Sequence, residues 1–240
     1  KFLSDEQRMT AAMTELAAAL DLPRLPRRIE CFDISNLHGT HPVASMIVFQ
    51  DGRPAKKEYR RFSIKTVGGS NDFAMMREVI YRRFRRAADA DDGGDGKWSV
   101  VPDLVIVDGG KGQLSASVAG LQEAGWTEQP IVALAKENEE LFVPDNPASI
   151  ILPRDSQALF LVQRVRDEAH RFAVSFHRQK RSKTTFQSRL DEIPGVGPKR
   201  KQALLRHFGS LKGIQEAPTE ELLAVPGISR TVAEQIKAAL

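Results

Sequence analysis

Hydrophobic positions along this chain change period several times, and each change marks an element. An alanine-rich stretch of helical composition runs from Ser4, a capping residue type, to Leu20, and the two prolines of residues 22–26 end it. Residues 28–35 then read as a buried strand. Its period of 2 places Ile29, Cys31 and Asp33 on one face and Glu30, Phe32 and Ile34 on the other. After a polar loop, residues 43–49 predict a second strand, Asp51 and Gly52 signal a turn, and the alternation over 57–64 predicts the returning strand of a hairpin. Three antiparallel strands therefore come first.

A glycine-containing lead over 67–72 precedes a helix expected over 73–86, with Asn71 or Asp72 as its N-cap, and residues 90–96 read as a solvated loop. The apolar run 104–107 predicts a central strand that delivers Asp108 at its carboxyl end, where ligands of open α/β sheets bind. Gly109, Gly110, Lys111, Gly112 and Gln113 lead into a helix reaching about residue 124, a further strand is predicted over 131–134, and short strands near 141–143 and 150–152. From Ser156 to about Arg178, apolar residues at 162, 165, 169, 172 and 176 step by three and four, the signature of a long amphipathic helix. Arg166, His170 and His177 share one flank of it, with Asp167 close enough to pair with His170. Residues 179–189 are polar and basic without Gly or Pro; they fit a hinge or a helix extension, and we expect a hinge.

The tail differs in kind. Ile193-Pro194-Gly195-Val196-Gly197 and Val225-Pro226-Gly227-Ile228-Ser229 are related units whose first glycines lie 32 positions apart, each followed by a helical pattern. A glycine turn opening onto helix N–H groups grips a phosphate without reading bases.

Composition sharpens this picture. The 240 residues suit one medium and one small domain, and a single cysteine, Cys31, excludes an internal disulfide and fits a reducing compartment. There is no apolar run of membrane-spanning length and no signal-peptide pattern, so a cytoplasmic protein is expected, and the initial Lys1 suggests a piece of a longer one. The net charge is only +4, yet residues 53–86 carry +8 and residues 164–189 carry +6, leaving the remainder at −10. Such segregation suits a polyanionic partner, although charge runs also serve as solvated faces.

Three chemistries follow from the residues. Asp33, placed among apolar neighbours, is expected to be protonated, paired or bound to a cation, or else to cap the turn that follows. The Gly109–Gly112 loop could cradle a nucleotide phosphate, but its spacing fits neither of the common glycine-rich nucleotide-binding patterns. The tail and basic runs alone would suffice for a catalytically silent DNA-binding module.

Residues 28–36, residues 71–86 with Asp72, Val107 to Gln113, Ala135-Lys136-Glu137 and Arg166 to Ala173 together resemble the carboxyl-terminal half of the UvrC family, the nuclease component of excinuclease ABC. The tail units resemble tandem helix-hairpin-helix motifs, with Ser229 where the second glycine of the second unit is expected. The resemblance implies an α/β, ribonuclease-H-like mixed sheet flanked by helices over 28–178, preceded by a helix and linker over 1–27. A basic hinge over 179–189 and an all-α tandem helix-hairpin-helix domain over 190–240 would follow. It further implies the nuclease of bacterial nucleotide excision repair, part of the DNA-damage and SOS response, cutting damaged double-stranded DNA 5′ of the lesion. In the family the 3′ incision and the main contact with the damage-loading protein UvrB belong to upstream domains. The expected cofactor is Mg²⁺ or Mn²⁺, with no nucleotide cofactor. By the same resemblance Asp33 and Asp108 are the principal metal ligands, Asp72 is a further catalytic acid, and His170 is a ligand or proton-transfer group. Arg77, Lys111, Lys136 and Arg171 would hold the DNA backbone, within a wider footprint of residues 82–86 and 178–183. Gly195, Gly197, Lys199 and Gly227 would form the hairpin grip.

Overall fold

The structure, a computed structural model, describes residues 4–35, 42–67, 71–91, 98–135 and 139–240, with the side chains of 91, 176–189 and 191 left undescribed. The chain divides into two compact units, Lys1–Ser175 and Phe176–Leu240.

In the first unit, α1 (Asp5–Ala19) begins with a capping box: Ser4 Oγ accepts from the Gln7 amide and Gln7 Oε1 accepts from the Ser4 amide. The sheet is built on β1 (Arg28–Ser35), antiparallel to β2 (Val43–Gln50) and parallel to β5 (Leu104–Asp108). Beyond β5 come β6 (Ile131–Leu134), parallel to it, and β7 (Leu141–Phe142), antiparallel to β6. On the far side of β2 the hairpin turn places Asp51 (φ 49°) and then Gly52 (φ 75°) in the left-handed region, the geometry a tight hairpin needs. The expected return strand is broken in two. A 3₁₀ turn over Lys56–Glu58 separates β3 (Arg53–Pro54) from β4 (Arg60–Ser63), and both pair with β2. Pro54, with no amide to donate, sits in the two-residue piece.

Helices cover both faces. The face bearing Ile29, Cys31, Ile47 and Ile106 packs against α1 and α4 (Gln157–Asp191), whose Val162 and Val165 are fully buried, worth about 1.5–3 kcal/mol each. The amino end of α4 is anchored by Ser156 Oγ, which accepts from the Leu159 amide, and by Glu15 of α1, which accepts from the Ala158 amide. The other face, with Phe32, Met46, Val105 and Val107, packs against α2 (Asp72–Asp91) and α3 (Lys111–Glu123). These two helices touch closely because α3 offers Gly120: a Cβ there would lie 2.6 Å from the Arg77 carbonyl oxygen.

Three further expectations change. The second helix runs to Asp91, since residues 87–91 contain no Gly or Pro to stop it. The strands expected near 141–143 and 150–152 reduce to β7 and a single bridge between Leu141 and Ile150. Residues 179–189, expected to be a hinge, are helical in backbone and belong to α4, as their lack of Gly and Pro allows.

The second unit contains α5 (Pro198–Phe208), α6 (Leu211–Glu216), α7 (Thr219–Leu223) and α8 (Arg230–Ala239) around a core that includes Val196, Leu204, Ile228 and Ile236. Among the described residues no helix is long and apolar enough to cross a membrane.

Candidate active site

Strand register brings the two central acids together. β1 and β5 pair with a constant offset as far as Phe32 and Val107, so the next step sets Asp33 beside Asp108. Alternation then turns both side chains to the α4 face, that of Cys31 and Ile106. Both residues are buried. The Cys31 thiol responds to them: burial pushes its pKa well above the ordinary value, and the charges of Asp108 and Asp33 push it further.

Asp72 reaches the same edge from the opposite face. It is the first residue of α2, and the capping role falls to Asn71, whose Oδ1 accepts from the Ala74 amide at 3.1 Å. Next to it, Phe73 leans on α3 so closely that a Cβ at Gly112 would lie 2.5 Å from its ring. The amino ends of α2 and α3 therefore meet just beyond Asp108.

His170 is placed differently from Asp33 and Asp108. The turn of α4 that carries it passes level with Asp33, because Phe172 lies under the Arg61 guanidinium (4.3 Å), Arg61 pairs with Ser45, and Ser45 pairs with Asp33. Ala169 is packed in the core beneath that turn, while His170 is exposed on the flank of Gln163 and Arg166. Those two side chains donate to Glu139 at 2.7 Å each. Asp167 accepts from Arg166 rather than from His170. Among the described residues no group of three or more His, Cys, Asp or Glu could hold a metal ion, so the structure does not draw Asp33, Asp108 and His170 into one ligand cluster. The pair of carboxylates, hard oxygen donors side by side, nevertheless suits Mg²⁺ or Mn²⁺.

The glycine loop after Asp108 is filled by the chain itself. Gly109 (φ 153°) donates to the Leu134 carbonyl, and the Gln113 side chain folds back so that its Oε1 accepts from the Gly110 amide. A Cβ on Gly109 would lie 2.6 Å from Gln113 Cδ.

The cations assigned to DNA are largely engaged. Arg77 pairs with Glu123 across the α2–α3 contact. Lys111 donates to the Pro147 carbonyl at 2.8 Å and lies over the Phe142 ring, beside a cavity of about 480 Å³. Arg171 grips Glu168 with two bonds of 2.6 Å, and Glu168 also accepts from Tyr59 Oη. Burial and that last bond push the Tyr59 phenol well above its ordinary pKa. Lys136 and the side chains of 178–183 lie outside the described residues. The expected footprint over 82–86 is corrected: Arg83 is fully buried, with its guanidinium on Glu30 and on the Trp98 and Val100 carbonyls, and Arg82 is bound to Glu78. Arg86 lies over the Trp98 ring, as does Arg60.

Sequence reasoning passed over Glu30. It is fully buried and accepts from both Arg28 and Arg83, while Arg28 also reaches Glu58. The signal was a charged residue on the inner face of a strand otherwise apolar on that side.

In the second unit both hairpin glycines take the left-handed conformation, Gly195 at φ 83° and Gly227 at φ 86°. Gly197 caps α5 with no side chain, so the amides that follow Pro198 have no side-chain cap, and Lys199 among them is exposed. Ser229 instead caps α8 with its own hydroxyl, which accepts from the Val232 amide at 3.4 Å.

A family model described as the UvrC RNAse H endonuclease domain matches residues 17–174, and one described as a SAM-like helix-hairpin-helix tandem matches residues 187–240. The chain is 53% identical over 248 residues to UvrABC system protein C of Symbiobacterium thermophilum, covering 95% of this chain and 39% of that protein. It is 54% identical over 235 residues to the protein of the same name in Moorella thermoacetica, covering 98% of this chain and 38% of that one. The chain thus spans less than two fifths of the length of these curated relatives.

Proposed function

The chain belongs to the UvrC family, and we propose that it acts as a metal-dependent endonuclease that hydrolyses a phosphodiester 5′ of a lesion in damaged double-stranded DNA. The observation that carries this reading is the placement of Asp33 and Asp108 side by side at the carboxyl ends of two parallel central strands. Ligand chemistry in open α/β sheets concentrates at that edge.

Asp33 and Asp108 would hold the divalent cation, Mg²⁺ or Mn²⁺. When bound, it would supply charge stabilisation on the phosphate and an activated water. Asp72, approaching from α2, adds negative charge that raises cation occupancy at the shared edge. His170, exposed on α4, would pass a proton to the leaving oxygen. Cys31 beneath the acids remains a neutral thiol and keeps water from that side.

The second unit holds the duplex by its backbone. Gly195, Gly197 and Lys199 present N–H groups and a cation to phosphate, whereas the second hairpin at Gly227 contributes less because Ser229 occupies the amide ahead of it. UvrB is the partner expected to present the damaged duplex, through regions of the family outside this chain.

Cleavage of a lesion-containing duplex bearing a pre-made 3′ nick, with UvrB and the family's upstream regions supplied as a separate chain and Mn²⁺ present, tests the reading. Wild type is expected to cut on the 5′ side, while Asp108→Asn and Asp33→Asn bind DNA normally and lose at least 100-fold in rate. Equal cutting by Asp108→Asn would refute it, and binding without cutting by wild type would leave a DNA-holding module.

A further inference from the structure

The acid pair belongs to a longer row. Going outward from Asp33 on the α4 face, the partner across β1–β2 is Ser45 and its partner across β2–β4 is Arg61. Ser45 interrupts an apolar pattern, since the same face of β2 continues with Ile47 and Phe49. The residue is only 4% exposed, and its hydroxyl oxygen has no hydrogen-bond partner among the described residues. A buried hydroxyl left without a partner disfavours the state that contains it, and native folds seldom retain one without a use. Alanine would fit the pattern without that penalty.

What could satisfy it is limited by geometry. Directly opposed residues of an antiparallel pair have Cβ atoms about 4.5–5.5 Å apart. The Ser45 side chain has three staggered positions available, and across such a separation a hydroxyl and a carboxylate on facing residues can meet in a hydrogen bond. On one side stands a carboxylate, which when ionised only accepts; on the other stands a guanidinium, which only donates. A hydroxyl can serve both.

We propose that Ser45 is a positioning residue of the nuclease site: with DNA and cation in place, its hydroxyl donates to the Asp33 carboxylate and fixes the direction of that carboxylate's other oxygen. In that state Arg61, the register partner of Ser45 on the outer side, would donate to the same hydroxyl. Its guanidinium rests over Phe172 and donates to Ser175 Oγ at 3.4 Å, which keeps it at the end of the row. The inference rests on the nuclease reading above.

The test compares wild type, Ser45→Ala and Ser45→Thr as the full chain, in the nicked-duplex assay with UvrB and Mn²⁺ and in thermal melts with and without Mn²⁺ alone. Ser45→Ala is expected to lose at least ten-fold in single-turnover rate at saturating DNA, with the apparent Kd for DNA within two-fold of wild type. Its melting temperature without metal should equal or exceed wild type, because an orphaned hydroxyl has been removed, while the rise caused by Mn²⁺ should shrink. Ser45→Thr, which keeps the hydroxyl, should recover most of the rate. A Ser45→Ala rate within two-fold of wild type overturns the proposal, as does a fall in its metal-free melting temperature, which would make the hydroxyl a structural group. If wild type itself fails to cut, the nuclease reading falls and this inference with it; if wild type cuts and Ser45→Ala cuts equally, only this inference falls.

Discussion

Two buried or half-buried carboxylates outside the acid pair decide how the nuclease unit responds to mutation and to pH. Glu30 lies at the centre of the sheet with Arg28 on one side and Arg83 on the other, all three nearly or fully out of water. Removing one member strands the others, and breaking such a network costs about 3–5 kcal/mol. Glu30→Ala is therefore expected to lower the denaturation midpoint of this unit sharply, as read in urea. Glu168 behaves differently. The two bonds from Arg171, helped by Tyr59 and opposed by burial, hold its carboxyl below the ordinary range. A depressed carboxylate contributes stability that is fully present above the unfolded value of about 4.3 and is lost as pH falls through the folded one. The melting-temperature gap between wild type and Glu168→Gln should thus be constant near neutrality and close progressively below about pH 4.3. A gap that stays open in acid would show that Arg171 does not hold the Glu168 carboxylate in solution.

At the scale of elements, α2 and α3 set where Asp72 stands relative to Asp108, and Gly120 is the contact that sets their separation. Because the atom a Cβ would meet is backbone of α2, Gly120→Ala has no side chain to push aside. The helices must part, at about 1–3 kcal/mol. Thermal melts should register this loss, and cleavage should fall by more than the fraction unfolded, since Asp72 moves with its helix. This contact was not legible in the sequence. Gly120 reads as one of several small residues in its helix, and only the packing partner gives it meaning. The strands were legible, because period 2 in 28–35 and the short apolar run ending at Asp108 survive without tertiary context. The acids could be placed on strand ends for the same reason, but their neighbourhood required the register. Basic residues misled most. Arg83 has the same local appearance as Arg82 and Arg86, and its burial depends on Glu30, 53 positions away. Likewise the break between β3 and β4 has no clear mark in the alternation of 57–64, because a 3₁₀ turn of Lys56, Lys57 and Glu58 is polar like an edge strand.

For the whole molecule, the tail repeat announces a second unit by itself, since glycines 32 positions apart with matching flanks point to duplication whatever the fold. The two units bury separate cores among the described residues, one around the sheet and one around Leu204 and Ile236. Cooperative unfolding follows a shared core, so calorimetry is expected to resolve two transitions, with Glu30→Ala moving one and Gly195→Ala the other. The second substitution places a Cβ 3.0 Å from Val232 at a left-handed backbone position, a strain of about 1–2 kcal/mol. DNA binding separates the units in another way. Phosphate contacts release counterions, each contributing close to 0.9 to the slope of log K against log salt. Because α5 presents open N–H groups and Lys199 while α8 is capped by Ser229, the two hairpins are unequal. Lys199→Ala should flatten the salt slope by about 1 on any duplex, damaged or not, whereas Arg230→Ala at the start of α8 should change it by less. Equal flattening by both would mean that the hairpins grip alike, and that the Ser229 hydroxyl leaves α8 as open to phosphate as α5.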